Sequence, residues 1–356
     1  MSDPGDSWQP TATPAMLRQR ASLLARTRQF FAHRGVLEVD TPVVVNAAVT
    51  DVHIHSARVQ FADAASPRNY FLHTSPEYAM KRLLAAGSGD IYQICHVVRG
   101  FERGRLHNAE FTLVEWYRIG YSLEDLMSEV DALVRELLGA SSGQYVSERI
   151  SYREAFLREL GLDPFTAGIS ELRRAAETLG FATTTSPAAS LMTADREPDR
   201  PGTRAQDTPA QDNQARDNRD ELLELLMGAL VGPRLGRNAL TFVHGYPATQ
   251  AALARLDPRD PRAALRFELY CEGVELANGF HELASAEEQR ARFQRDLEER
   301  RRIGLPAYAM DEFLLSALEA GLPECAGVAL GFDRTLMLAT GARDINEVLP
   351  FPTERA

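Results

Sequence analysis

From Pro14 to His33, apolar residues fall at Leu17, Ala21, Leu24 and Phe31, with Met16, Leu23 and Phe30 beside them. That spacing predicts a helix with one buried stripe. Gly35 stops it, and Val36 to Val39 predicts a short strand before Thr41-Pro42. Phe71 to Thr74 predicts a second strand, leading into a helix from about Tyr78 to Ala86. Ile91 to Val98 and Phe111 to Tyr117 read as two strands joined by a charged loop, Arg99 to Asn108, and Leu123 to Leu138 as an amphipathic helix. Helix returns at Glu221 to Leu230, followed by strands at Leu240 to Val243, Phe267 to Tyr270 and Val274 to Leu283. Ser285 with Glu288 is a capping-box signature for a helix reaching about Arg302. The pattern ends with a glycine-bearing turn, Gly327 to Gly331, and a last helix from Asp333 to Thr340.

Strands joined by short loops and set between helices predict an α+β fold, an antiparallel sheet flanked by helices. No repeat interrupts it. From Thr193 to Asp220 there is no Leu, Ile, Val, Phe, Tyr, Trp or Met, which predicts a poorly ordered polar insertion. The expected organisation is therefore an N-terminal tail at 1–14 and one domain over 15–356 carrying that insertion at about 193–220.

Composition narrows the classes. With 44% hydrophobic and 25% charged residues, the chain has what an ordinary globular core requires. No run approaches the roughly 20 apolar residues of a membrane span, and Met1 to Pro10 lacks a secretory pattern. Cys95, Cys271 and Cys325 are odd in number and without metal-ligand spacing, so thiols in a reducing cytoplasm are expected. A net charge of -11 argues against broad nucleic-acid binding, although Arg99, Arg103 and Arg105 could form a local basic patch. There is no GxGxxG after a first strand and no GxxxxGK[ST], so any ATP used is not held by a P-loop.

The unusual feature is acids inside apolar strands. In a strand, Phe111, Leu113, Glu115 and Tyr117 share one face, which sets a carboxylate and a phenol among apolar neighbours. Asn278, Phe280 and Glu282 share a face likewise. Glu275 has the opposite parity, and a bulge at Gly279 is the expected device for bringing it round. Glu268 is a further acid in an apolar strand, and Glu77 sits in the turn Thr74-Ser75-Pro76-Glu77-Tyr78. Burying such carboxylates costs several kcal/mol unless they meet cations, either a nearby arginine or a cationic ligand, Mg²⁺, or both. The arginines of the 99–108 loop, and Arg334 after Gly327 to Gly331, suit a polyphosphate.

In this order the segments resemble the catalytic domain of class II aminoacyl-tRNA synthetases, most closely the lysyl branch. Phe30 to Pro42 looks like motif 1, Arg99 through Tyr117 like motif 2, and Gly327 to Arg334, ending Gly331-Phe332-Asp333-Arg334, like motif 3. Motif 1 starts close to the N-terminus, leaving no room for an anticodon-binding domain, and Ala329 stands where motif 3 usually has glycine. Both features resemble the elongation factor P β-lysine ligase family. The resemblance implies a cytoplasmic homodimer that forms an acyl-adenylate from ATP and (R)-β-lysine or lysine, with Mg²⁺. The acyl group then passes to a lysine of elongation factor P, a protein partner, with tRNA not expected. The alternatives are a lysyl-adenylate-forming enzyme serving tRNA or another amine, and an inactive relative that only binds a partner.

The resemblance also implies residue roles. Arg99 and Arg334 would be catalytic, and Ser75, Pro76, Glu77, Glu115, Tyr117, Asn278, Glu282 and Ala329 would hold the amino acid. ATP would meet Arg99, Gly100, Phe101, Glu102, Asn108, Phe111, Glu275, Leu276, Gly331 and Arg334, and Mg²⁺ would meet Glu268 and Glu275. Motif 2 often reads Arg-x-Glu. Here it reads Arg99-Gly100-Phe101-Glu102, which moves the acid one place along.

Overall fold

Thr13 caps the first helix, its hydroxyl accepting from the Met16 amide at 3.2 Å, and Pro14 sits where a missing N–H costs nothing. In the computed structural model of the chain, residues 8–61, 69–178 and 219–356 are described. The helix α1 (Pro14–Ala32) leads to short strands β1 (Leu37–Glu38), β2 (Val44–Val45), β3 (Arg58–Val59) and β4 (Tyr70–Leu72). Helix α2 (Glu77–Ala85), the long strands β5 (Ile91–Val98) and β6 (Glu110–Ile119), and α3 (Leu123–Leu138) follow. Next come β7 (Val146–Ser151), α4 (Tyr152–Leu160), α5 (Ile169–Glu177) and α6 (Arg219–Leu226). The C-terminal part runs through β8 (Ala239–Pro247), β9 (Leu256–Asp257), β10 (Asp260–Cys271), β11 (Val274–His281), α7 (Ala286–Arg302), α8 (Glu312–Gly321), β12 (Cys325–Gly331) and α9 (Phe332–Thr340).

Among the described residues the main sheet has the order β1-β5-β6-β12-β11-β10-β8-β7, with β9 paired to β10. Its centre is antiparallel as expected, whereas β1 against β5 and β7 against β8 are parallel. The parallel pairs sit at the two ends, where longer connections return the chain across the sheet: β2–β4 and α2 between β1 and β5, and the α4–α6 region between β7 and β8. A separate small sheet, β2-β4-β3, lies outside this path.

The period-2 alternation of β6 explains the layering. Thr112, Val114, Trp116 and Arg118 face away from Phe111, Leu113, Glu115 and Tyr117. Val114 and Trp116 join Phe31 of α1, Leu126 and Leu133 of α3, and Phe332 and Leu336 of α9 in the largest apolar cluster. Each such fully buried large side chain contributes about 2–3 kcal/mol. The Trp116 indole N–H donates to Glu129 on α3 at 3.1 Å, so its polar end is satisfied. The opposite face is flanked by α2, α7 and α8, whose Met80, Leu84, Phe293, Leu314 and Leu315 pack on Ile91 and Tyr117.

Four expectations are corrected. Gly327 to Gly331 is a strand, β12, rather than a turn; it pairs on both sides, with β6 and β11. The bulge in β11 lies at Leu276, which is left over between the pairs Leu269↔Ala277 and Tyr270↔Glu275, and not at Gly279. Gly279 has a packing reason instead: a Cβ there would lie 2.5 Å from the Phe267 ring. The Ser285 hydroxyl accepts from the Glu288 amide at 3.2 Å, but Glu288 turns to Arg292 at 2.5 Å and does not close a reciprocal capping box. The polar insertion lies outside the described residues up to 218, and Arg219 and Asp220 already belong to α6. Of the expected tail, Thr11 is tied down, its amide and hydroxyl donating to the Pro350 and Leu349 carbonyls at 2.9 and 2.7 Å.

Candidate active site

A cavity of about 600 Å³ opens over the apolar-and-acid face of the sheet. The strand registers align two rows of residues across the sheet beneath it, all of which line the cavity except Glu268. One row runs Glu115, Ala329, Asn278 and Glu268; the next runs Tyr117, Gly327, Phe280 and Arg266. The parity expected for β6 and for Asn278, Phe280 and Glu282 is therefore what brings these side chains together. Ala329 stands between Glu115 and Asn278, so its methyl forms part of the floor.

Three carboxylates converge at one end. Glu115 is 2% exposed and accepts from the Ser75 and Tyr117 hydroxyls, each at 2.8 Å. Ser75 Oγ in turn accepts from the Glu77 amide at 3.0 Å and so does the capping work at the start of α2, where Pro76 contributes no side-chain cap. Glu282, 4% exposed, follows β11. Between Glu77 and Glu282 lies a residue that the motifs did not identify: Lys81, 1% exposed, with its ammonium 2.7 Å from Glu77 and 2.6 Å from Glu282. The available signal was the i,i+4 spacing of Glu77 and Lys81 on a short helix.

Burial sets the charge behaviour of this cluster. Removal from water, reinforced by Glu77, pushes the Glu115 carboxyl up to about 7, against the hydrogen bonds from Ser75 and Tyr117. Burial also pushes Glu282 up to about 8; the Lys81 ammonium opposes this, while Glu77 and Glu115 add to it. For Lys81 itself burial disfavours the charge, yet the two carboxylates outweigh it and hold the ammonium above the ordinary lysine range. A pocket with three carboxylates and one resident ammonium is built to receive further positive charge.

The other end carries cations. Arg99 Nε donates to the Thr74 carbonyl at 3.2 Å, its guanidinium lies 5.1 Å from the Phe111 ring centre, and Glu102 is 3.8 Å from Nη1. Arg334 is held by the Leu106 and Glu275 carbonyls at 3.2 and 3.0 Å and by His107 Nε2 at 2.7 Å. The neighbouring Asp333 points the other way: it accepts from the Thr112 amide at 2.7 Å and pairs with Arg20, which locks α9 to β6 and α1. Phe111, Glu275, Leu276 and Gly331 also line the cavity.

Some expected site residues stand elsewhere. Arg103 pairs with Glu354 and Arg105 donates to the Arg343 carbonyl, so of that trio only Arg99 lines the cavity. Gly100 and Phe101 are off the wall; the Gly100 amide donates to the His55 carbonyl, and Phe101, at φ 65°, lays its ring against His55. Asn108 lines the cavity, but its amide is spent on the Glu110 carbonyl at 2.6 Å and the Thr353 amide at 3.2 Å. It fixes the loop to the C-terminal segment.

Glu268 is the largest departure. Tyr246, Tyr270 and Arg266 each donate to its carboxylate at 2.6 Å. Glu275 faces the cavity, with Arg334 3.7 Å away. Among the described residues no group of three or more His, Cys, Asp or Glu converges as a metal cage. That donor set fits Mg²⁺ only in the manner of a nucleotide-bound ion, which takes one or two carboxylates and completes its shell with phosphate oxygens and water.

The family described as tRNA synthetases class II (D, K and N) matches residues 8–355. The chain belongs to that class II synthetase family. Among its relatives, a Vibrio cholerae serotype O1 protein named elongation factor P–(R)-β-lysine ligase is 46% identical over 351 residues, 98% of each chain. Proteins of the same name from Pectobacterium carotovorum and Yersinia enterocolitica are also 46% identical, each over 98% of both chains. In class II terms, the parallel β1, the β5–β6 hairpin and the β12–α9 junction are where motifs 1, 2 and 3 were expected. Among the described residues no helix is long and apolar enough to cross a membrane.

Proposed function

We propose that this class II synthetase relative is an ATP-dependent ligase that activates (R)-β-lysine, or lysine, and transfers it to a lysine side chain of elongation factor P. The observation that carries the reading is the convergence of Glu77, Glu115 and Glu282 at one end of a cavity whose other end presents Arg99 and Arg334. A substrate with two ammonium groups and one carboxylate has the charges that such a cavity lacks. The relatives' shared name supplies the acceptor.

In the first step the substrate carboxylate attacks the α-phosphate of ATP and displaces pyrophosphate, leaving a mixed anhydride with AMP. Two anions must meet, so the protein's contribution is alignment and charge neutralisation. Arg99, fixed by the Thr74 carbonyl and the Phe111 ring, spans the gap between the carboxylate and the α-phosphate. Arg334, braced by two backbone carbonyls, holds the distal phosphates. Mg²⁺ bound with the triphosphate, Glu275 among its ligands, would supply further charge neutralisation. Glu115, Glu77 and Glu282 fix the substrate's amino groups, and the Ala329 methyl limits where its chain can bend. In the second step the acceptor amine attacks the acyl carbon, an amide forms and AMP leaves. No covalent enzyme intermediate is required.

The proposal includes a homodimer formed along the α1–β1 segment, where Leu37 is 55% exposed on the end strand of the sheet, and a cytoplasmic place of work beside translation. The test is intact-mass and peptide mass spectrometry of elongation factor P after incubation with the protein, ATP, Mg²⁺ and (R)-β-lysine. One lysyl-type addition on a single lysine, absent without ATP, is expected. An unmodified factor alongside aminoacylated tRNA would instead assign the protein to tRNA charging.

A further inference from the structure

Lys81 has no part in the chemistry described above, yet it is among the most deeply buried charged groups of the chain. It sits on α2, one turn after Glu77, and reaches Glu282 beyond the end of β11, so one ammonium joins carboxylates from two distant stretches. Glu282 uses Oε2 for this contact. Its Oε1 is buried and accepts no hydrogen bond among the described residues. An oxygen left this way costs free energy until a donor arrives, which marks where a ligand N–H belongs.

We propose that Lys81 is a positioning residue that sets the charge class of the substrate: by occupying one side of both Glu77 and Glu282, it leaves the three-carboxylate pocket two unit charges short of neutrality. This deepens the reading of the cavity as an amino-acid site and rests on it. Once a cationic ligand draws all three carboxyls into their ionised form, the pocket with Lys81 charged carries two net negative charges, matched by an amino acid bearing two ammonium groups. A mono-ammonium analogue would leave a buried carboxylate uncompensated and is rejected for that reason. Without Lys81 the same pocket would carry an excess charge over any diamino acid. The bridge also orients the acids, because Glu77 and Glu282 are drawn toward Lys81 and their remaining oxygens can present to the cavity.

The charged groups that act on Lys81 are Glu77 from its own helix and Glu282 after β11; the Cys325 thiol of β12 feels its ammonium, and Glu115 of β6 acts on it through Glu282. Among the described residues Glu77 and Glu282 are its ion-pair partners. A purely structural ion pair, stapling α2 to the sheet, makes a different prediction from a positioning role. Structural damage lowers kcat or perturbs ATP and amino acid alike, whereas positioning separates them.

The experiment compares Lys81→Met, Glu282→Gln and the double variant in the full-length protein. Amino-acid-dependent ATP–pyrophosphate exchange is measured, and (R)-β-lysine affinity is followed by calorimetry where turnover is too slow. Lys81→Met is expected to raise the (R)-β-lysine KM by about 30-fold or more, with the ATP KM and kcat each within about 3-fold of wild type. The double variant is expected to bind (R)-β-lysine no more weakly than Glu282→Gln alone, because losing one ammonium together with one carboxylate returns the pocket to its original net charge. The double variant restores the charge balance, so the second comparison decides even where Lys81→Met fails to fold. An unchanged amino-acid KM in Lys81→Met, an equal rise in the ATP KM, or additive losses in the double variant would each overturn the proposal. A wild-type protein inert toward both lysine isomers would overturn the amino-acid reading beneath it as well, a result distinguishable from failure of Lys81 alone.

Discussion

Gly327→Ala is expected to reduce amino-acid-dependent activity by about 100-fold or more. Gly327 lies in the middle of β12, directly opposite Tyr117 on β6 and Phe280 on β11. A Cβ at this position would approach the Tyr117 ring and the Glu282 carboxylate closer than 3.0 Å. Both neighbours hold the pocket together: Tyr117 donates to Glu115, and Glu282 receives Lys81. The sheet is paired on both sides, so the backbone cannot retreat and the side chains must. Overpacking of this kind costs about 1–3 kcal/mol of stability, a modest drop in melting temperature for a chain of this size. Displacing two substrate-binding groups costs far more in turnover. The check is a pair of measurements, thermal melting and exchange kinetics, and a variant with near-wild-type exchange would show that Tyr117 and Glu282 do not form the amino-acid pocket.

The second large effect concerns Arg99. Arg99→Ala is expected to lower the rate of adenylate formation by about 10³-fold, since the reaction brings a carboxylate against a phosphate and depends on a fixed cation between them. Its removal should leave the fold intact, because the guanidinium is partly exposed and, among the described residues, its hydrogen bond is to the Thr74 carbonyl. Arg99→Lys restores only part of the rate: an ammonium keeps the charge but cannot stack on Phe111 or span two acceptors at once. Single-turnover measurement of adenylate formation at saturating substrates separates this loss from weakened binding. A variant losing affinity for both substrates at an unchanged rate would remove Arg99 from the reacting centre.

Much of this architecture was legible in the sequence. The strand faces of Phe111 to Tyr117 and of Asn278 to Glu282 follow from period-2 alternation alone, and α3 and β5 begin and end where their patterns do. What escaped was whatever depends on partners far along the chain. Gly327 to Gly331 resembled a turn because its small residues look like punctuation; the structure uses them to let β12 pass beneath Tyr117. The bulge near Glu275 falls at Leu276 rather than Gly279, since a strand pattern does not reveal which residue its partner strand leaves unpaired. Lys81 is not legible in the sequence because a lysine on a short helix ordinarily faces solvent, and only the arrival of Glu282 makes burial tolerable. Glu268 shows the reverse: its strand pattern marked a buried acid correctly but could not supply the Tyr246, Tyr270 and Arg266 donors that occupy it.

The most direct test of the acid pocket is ATP–pyrophosphate exchange driven by (R)-β-lysine or lysine, followed from pH 6 to 8. Glu115 and Glu282 titrate at about 7 and about 8 in the free pocket, raised by burial, and only their ionised forms attract a ligand ammonium. Lowering the pH therefore protonates the pocket and weakens binding, while raising it does the opposite. The account predicts exchange that requires a diamino acid, with an amino-acid KM that falls as the pH rises through this window and an ATP KM that does not follow it. Exchange that proceeds equally well with a mono-amino analogue, or that is absent with both lysine isomers at every pH, would contradict it.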